Sequence, residues 1–317
     1  MYGHTVAEPL DVESGYRNSS YSFVDAAGNT LNFILYKHEP SSIERIKRAN
    51  TIGSFLLGKD IPARAPISPR ILRVGNRYGS LYRYLPGTTI PWEAYTMKHI
   101  KLLGMVMGDM HSFLQGYAGP LPPFASEYEA ISQRIRRYYT RDGVVQAMHD
   151  KLHLGLPYDP CQNHPDLFDE LSRLPVQPLH MDFVRGNVLF QRNAAATRYT
   201  IGSVTLSGLL DFEKACQGPV LCDIARTLAF LYVDCANKTN AKIYKYFIDS
   251  GYVKRSRATL NNDSQTRGLI DRLVTFFLEY DFYKFLRDNP YESLPQNHHF
   301  LRTRDMLIER KVLQYRD

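Results

Sequence analysis

A length of 317 residues allows about two lobes around a sizeable core, and 44% hydrophobic with 22% charged residues is the balance of an ordinary globular protein. No run of about 18 apolar residues occurs, and Met1 to Leu10 lack the basic flank and apolar core of a leader. The chain is therefore expected to be cytoplasmic, with neither a membrane nor secretion in its role. The formal charge of +7 is spread rather than run together. It suits a phosphate-handling enzyme as well as a nucleic-acid binder, and nucleic acid is not the expected partner. Cys161, Cys216, Cys222 and Cys235 include no Cys-x-x-Cys pair and read as free buried thiols in a reducing compartment.

Residues 5 to 37 read as three strands. Tyr21 and Phe23 alternate with polar neighbours, Ala27-Gly-Asn supplies turn chemistry, and Leu31, Phe33 and Leu35 alternate again before Lys37. A helix is predicted over 42–57, opened by Ser41-x-x-Glu44 as a capping box and closed at Gly58. The prolines of Ile61 to Pro66 then turn the chain into a hairpin around Gly75 to Gly79, and Tyr84-Leu-Pro-Gly87 makes another turn.

From Ala94 the period becomes helical. Ile100, Leu103, Met107, Met110 and Leu114 share one face as core, Ser126-x-x-Glu129 caps a second helix, and a third covers Asp166 to Leu174. His149 and His153 have metal-ligand spacing but no matching acid or cysteine, so a surface pair without zinc is expected. Val188-Leu-Phe and Gly208-Leu-Leu are short strands joined by a decorated connector, and residues 222 to 288 are helical again.

The chemistry concentrates in Leu179 to Phe190. There the spacing is His180-x-Asp182-x-x-x-x-Asn187, followed by an apolar run and then Leu209-Leu-Asp211-Phe-Glu213. Phosphoryl transfer needs these parts in this order: a carboxylate to accept the proton of an attacking hydroxyl, then an amide oxygen and a second carboxylate to hold Mg²⁺ on nucleotide phosphates. By itself the first half could equally be a polar turn between two strands.

With Gly208 to Glu213, Ala215, Gly218 and Asp223-Ile-Ala added, the chain resembles the aminoglycoside phosphotransferase and choline kinase-like family. The resemblance implies an α+β, protein-kinase-like fold in two lobes: a β-rich nucleotide-covering lobe over residues 1–86 and a mainly helical catalytic and substrate-binding lobe over 87–317. It also implies transfer of the γ-phosphate of ATP or GTP to a hydroxyl of a small molecule, with Mg²⁺ as cofactor. Carried over, Asp182 is the base, Asn187 and Asp211 hold the metal, and Arg185 assists near the transferred phosphate. Gly15, Asn18, Ser19 and Ser20 lie in the loop over the phosphates, Lys37 contacts phosphate, and Tyr84 and Leu85 belong to the hinge that holds the base. Glu44 is the one acid in its helix placed to pair with Lys37, although capping also explains it. His180 would fix the loop, with Glu213 and Asp223 in supporting positions.

Two other readings stay open. An inactive nucleotide- or partner-binding relative would explain the missing mid-helix glutamate, but the base and metal positions are intact. An atypical protein kinase would use the same loop, but no Asp-Phe-Gly or Ala-Pro-Glu segment occurs. For the acceptor, Glu279 and Asp281 among Tyr280, Phe282 and Tyr283 suit an ammonium group, and a buried amphipathic helix explains the same run.

Overall fold

The computed structural model describes residues 5–14, 18–157, 159, 161, 162, 164–257, 260 and 263–316. Strands β1 (Val6–Ser14), β2 (Ser19–Asp25) and β3 (Thr30–Tyr36) lead into helix α1 (Ser42–Leu57), and β4 (Leu72–Val74) and β5 (Arg77–Arg83) follow it. The five strands form one antiparallel sheet in the order β1-β2-β3-β5-β4. Asp25 sets the turn between β2 and β3. Its buried carboxylate accepts the N–H groups of Ala27 at 3.0 Å and Asn29 at 2.8 Å, while Gly28 takes the left-handed position at φ 81°. The edge strand β1 carries Pro9, which has no N–H to offer a passing chain.

Ile34 and Tyr36 of β3 bury with Tyr82 of β5 and Ile46 of α1 in a small core between sheet and helix. The expected Ser41–Glu44 capping box does not form. Ser41 sits at φ 58° without a side-chain cap bond, and the entry is tied instead by Ser42, whose hydroxyl donates to the Glu39 carbonyl at 2.6 Å.

The rest is mainly helical. α2 (Met97–Leu114), α3 (Phe124–Tyr139) and α4 (Val144–Leu152) are followed by the short β6 (Leu154–Gly155) and by α5 (His164–Ser172). Ile100, Leu103, Met107, Met110 and Leu114 are all buried along α2, as their spacing predicts. α3 starts earlier than predicted because Pro123 holds the extended conformation that precedes a helix, which leaves Ser126 and Glu129 inside it. His153 ends α4 in the left-handed conformation. It therefore does not continue the helical face of His149, which bonds its neighbour Asp150 instead.

Short strands β7 (Gln177–Leu179), β8 (Val188–Arg192), β9 (Thr200–Ile201), β10 (Val204–Leu209) and β11 (Cys216–Gly218) come next. Then follow α6 (Val220–Asp234), α7 (Asn240–Tyr244), a π-helical turn over Lys245–Tyr252, α8 (Ser264–Asp288), α9 (His298–Glu309) and β12 (Gln314–Tyr315), which pairs with β6. α2 lies so close to the π-helical turn that a Cβ on Gly104 would stand 2.0 Å from the Phe247 carbonyl oxygen. The main core runs from Ala49, Ile52 and Leu56 of α1 through Leu103, Leu179, Leu209 and Phe277, so α1 belongs to both parts of the molecule. All four cysteines are buried, and no helix among the described residues is long and apolar enough to cross a membrane.

Candidate active site

Two strand pairs frame the motif residues. β7 pairs with β11 through Leu179 and Cys216, and β8 pairs with β10 through Val188 and Leu209. Residues 180–187 and 210–215 are thus two connectors between the same two ladders. That is why residues far apart in sequence, such as Asn187 and Leu210, meet. Leu210 N–H donates to the Asn187 carbonyl at 2.8 Å, which locks the connectors together.

Asp223, in the first turn of α6 and fully buried, holds the loop from below. Its carboxylate accepts the N–H of His180 at 2.7 Å, the N–H of Met181 at 2.9 Å and Nε2–H of His111 at 3.1 Å. Burial opposes its ionisation, but the bond from His111 and the backbone N–H of His180 keep its carboxyl below the usual range. These bonds hold Met181 at φ 60°, a conformation that costs a non-glycine residue about 1–3 kcal/mol. His180 donates from Nε2 to the Leu210 carbonyl at 3.2 Å and accepts the Asp182 N–H at Nδ1, also at 3.2 Å, which assigns its proton to Nε2. It therefore fixes the loop, and the Phe212 ring lies tilted against its own at 4.5 Å.

Above this base stand the three expected polar residues. Asn187 Nδ2 donates to the Asp182 carbonyl at 2.9 Å and to its Oδ2 at 3.2 Å, which leaves the amide oxygen without a partner among the described residues. Asp182 is 13% exposed and also receives Lys214 Nζ at 2.8 Å on Oδ1. Asp211 sits at φ 56°, its Oδ1 accepting the Glu213 N–H at 3.2 Å. An amide oxygen and a carboxylate on adjoining connectors are the hard oxygen donors that a small divalent cation takes, so these residues fit such an ion. Arg185 is exposed on the same loop, and its charge acts on Glu93 and Tyr95.

The sheet side differs from expectation. Lys37 lies one residue beyond β3, exposed, and side-chain alternation sets it on the face opposite Tyr36. Glu44 is exposed in the first turn of α1, and no ion pair joins the two. Of the two roles left open for Glu44, the pair with Lys37 is not formed in this structure. Gly15 lies outside the described residues. Ser19 and Ser20 belong to β2 rather than to a loop, with the Ser20 hydroxyl bonded to Asn32 Oδ1 at 3.0 Å. Asn18 does reach the site: its Oδ1 accepts the Lys37 N–H at 3.0 Å and its Nδ2 donates to Glu213 Oε1 at 3.4 Å. Burial and the Asp211 carboxylate raise the Glu213 pKa, against Arg45, Arg64 and Asn18, which lower it. Tyr84 N–H is spent on the Thr30 carbonyl, and Leu85 is half-buried in a hinge that is strapped to β8 and β10 by Thr88–Phe190 backbone bonds and by Ser207 Oγ–H donating to the Pro86 carbonyl.

Sequence reasoning missed Lys214 on Asp182, and Arg48, whose guanidinium donates to the Glu213 carbonyl at 2.8 Å. Lys214 directly follows the Asp-Phe-Glu segment and was legible by position; Arg48 bore no signal. Glu279 and Asp281 both turn inward. Glu279 meets His164 Nε2 at 2.5 Å, and Asp281 is held by Arg226 at 2.7 Å and Lys284 at 2.6 Å. The buried-helix reading of that run is the right one, and neither carboxylate is offered to a ligand ammonium.

The family model described as "Phosphotransferase enzyme family" matches residues 10–243. The chain belongs to that family. Solved structures similar to this phosphotransferase-family chain include the amicoumacin kinase hAmiN in complex with AMP-PNP, Ca²⁺ and Ami, with a TM-score of 0.68 at 12% identity over 95% of this chain and 88% of that one. A microcompartment-associated aminopropanol kinase has a TM-score of 0.64 at 11% identity, covering 98% and 94%. A thermostable aminoglycoside phosphotransferase in ternary complex with ADP and hygromycin B has 0.59 at 13%, covering 95% and 94%. At such identities the likeness shows the fold, which is the protein-kinase-like one. No curated protein sequence matches the chain.

Proposed function

We propose that this phosphotransferase-family protein moves the γ-phosphoryl group of ATP or GTP to a hydroxyl of a small molecule, with Asp182 as base and Mg²⁺ held by Asn187 and Asp211. The carrying observation is the bonded unit Asp182–Asn187–Leu210, in which one amide side chain fixes the carboxylate and one backbone bond sets Asp211 beside it. Solved relatives named with AMP-PNP and Ca²⁺ or with ADP support a nucleotide co-substrate and a divalent metal. The nucleotide would lie between a lobe of residues 1–86 and one of 87–317.

Asn187 bonds Asp182 Oδ2 and Lys214 bonds its Oδ1, so the carboxylate is fixed in position to take the proton of an acceptor hydroxyl. When bound, Mg²⁺ supplies neutralisation of the phosphate oxygens. Lys214, half exposed, adds a positive charge where the transferred group collects negative charge, and Arg185, exposed on the same loop, would assist it. The acceptor is a small hydroxylated compound, and its contacts come from residues other than Glu279 and Asp281.

The test is thermal stabilisation by ATP and GTP with and without Mg²⁺, followed by coupled assay of amino alcohols, sugars and aminoglycosides. Metal-dependent stabilisation and turnover of one acceptor class are expected. Absence of any metal-dependent nucleotide effect would favour an inactive relative.

A further inference from the structure

No ion pair joins Lys37 of the sheet side to Glu44 of α1, and a neutral chain joins sheet and helix instead. Tyr36 OH meets Tyr82 OH at 2.5 Å, Tyr82 OH donates to Asn50 Oδ1 at 2.7 Å, and Asn50 Nδ2 donates to Ser80 Oγ at 3.1 Å. Because Tyr82 gives its proton to Asn50, Tyr36 gives its own to Tyr82. All four side chains are buried. The chain ties β3, β5 and α1 together as an ion pair would, but it brings no charge with which to meet a phosphate.

We infer that Arg64, on the segment between α1 and β4, provides the cation that binds the nucleotide phosphates in place of a β3 lysine. This rests on the phosphotransferase reading above. Arg64 lies with Cζ 5.0 Å from the Tyr82 ring centroid, so the aromatic member of the neutral chain also positions the guanidinium. Its backbone is clamped from two sides. Arg64 N–H donates to the Leu209 carbonyl at 2.8 Å and Leu209 N–H returns to the Pro62 carbonyl at 2.7 Å, while a Cβ on Gly53 of α1 would stand 2.1 Å from the Arg64 carbonyl oxygen. Leu209 is two residues before Asp211, so Arg64 is registered on the proposed metal ligand by a single bridge.

The guanidinium has five donors and no hydrogen-bond partner among the described residues. Burial works against its charge, yet its pKa is held above the ordinary value, with the Asp211 and Glu213 carboxyl groups among the causes. A planar fork stacked on an aromatic ring, charged and unspent at the edge of a carboxylate site, matches a phosphate oxyanion, which takes such a fork through two parallel N–H bonds. Lys37 is exposed one residue beyond Tyr36, and strand alternation sets it off the Tyr36 face that Arg64 adjoins.

The experiment is calorimetric titration of ATP with Mg²⁺, and of adenosine alone, into wild type, Arg64→Gln, Arg64→Lys and Lys37→Ala, with GTP and guanosine if the protein prefers guanine. Arg64→Gln is expected to weaken triphosphate affinity about 10-fold or more and to leave nucleoside affinity unchanged, while Lys37→Ala stays within about 2-fold. Arg64→Lys keeps the charge but not the fork, and carries the test if Arg64→Gln does not fold; a loss of about 3-fold or more confined to the triphosphate is expected. Wild-type triphosphate affinity in the folded Arg64 variants, or equal losses for nucleoside and triphosphate, would overturn the assignment and leave the function standing. If wild type itself bound no nucleotide with metal, the assignment and the reading beneath it would both fall.

Discussion

The helical and sheet sides of the molecule are built in opposite ways around the candidate site. On the helical side a buried carboxylate, Asp223, gathers two backbone N–H groups and a histidine beneath the His180 loop, so charge is spent inside the protein to hold Asp182, Asn187 and Asp211 in place. On the sheet side the buried join is neutral, Tyr36–Tyr82–Asn50–Ser80, and the cation nearby is left unspent. Positioning on one side is electrostatic and on the other is done by hydroxyls and an aromatic face. The difference predicts where each side should break.

The largest effect is expected on the helical side. Asp223→Ala leaves two N–H groups and His111 Nε2–H facing a buried gap and releases the strained Met181, and denaturant unfolding should show a loss of about 3–5 kcal/mol. Asn50→Ala, which removes the amide from the neutral chain, should cost about 2 kcal/mol by the same measurement, since the bonds lost there carry no full charge. Equal losses would dissolve the contrast.

A smaller and pH-dependent effect is expected at the hinge. His99 packs edge-on against Phe190, whose backbone straps the hinge, and its Nδ1 accepts the Thr96 N–H at 3.0 Å. Burial first, and then Arg192, Lys238 and Lys98, push its pKa down to about 4 from about 6.5. Between those values the unfolded chain binds the extra proton, so this contribution is complete above about pH 6.5 and is lost as the pH falls to about 4. Stability profiles of wild type and His99→Gln should converge toward low pH; parallel profiles would show that His99 carries none of the slope.

The contrast also explains what could be read in advance. Asp182, Asn187 and Asp211 were legible because each half of the site is a short connector, and eight residues from His180 to Asn187 carry both ends of their own hydrogen bonds. The sheet side was not, because its parts come from residues 36, 50, 64, 80 and 82. Tyr36 and Asn50 have no charge to mark them, and Arg64 is embedded in a proline-rich turn. The resemblance selected Lys37, which is exposed one residue beyond β3, while the neighbouring Tyr36 carries the buried join. Glu44 was selected as the nearest acid, although the helix presents Asn50 where the join is made.

The central claim, that Asp182 acts on the acceptor while Asp211 acts on metal and phosphate, is tested most directly by titrating nucleotide with Mg²⁺ into Asp182→Ala and Asp211→Ala, with turnover measured beside it. The expected result is that Asp182→Ala binds nucleotide within a few-fold of wild type but loses about 100-fold or more in turnover. Asp211→Ala is expected to lose the metal-dependent part of nucleotide binding itself. Two variants with the same nucleotide affinity, whether both intact or both impaired, would contradict the account.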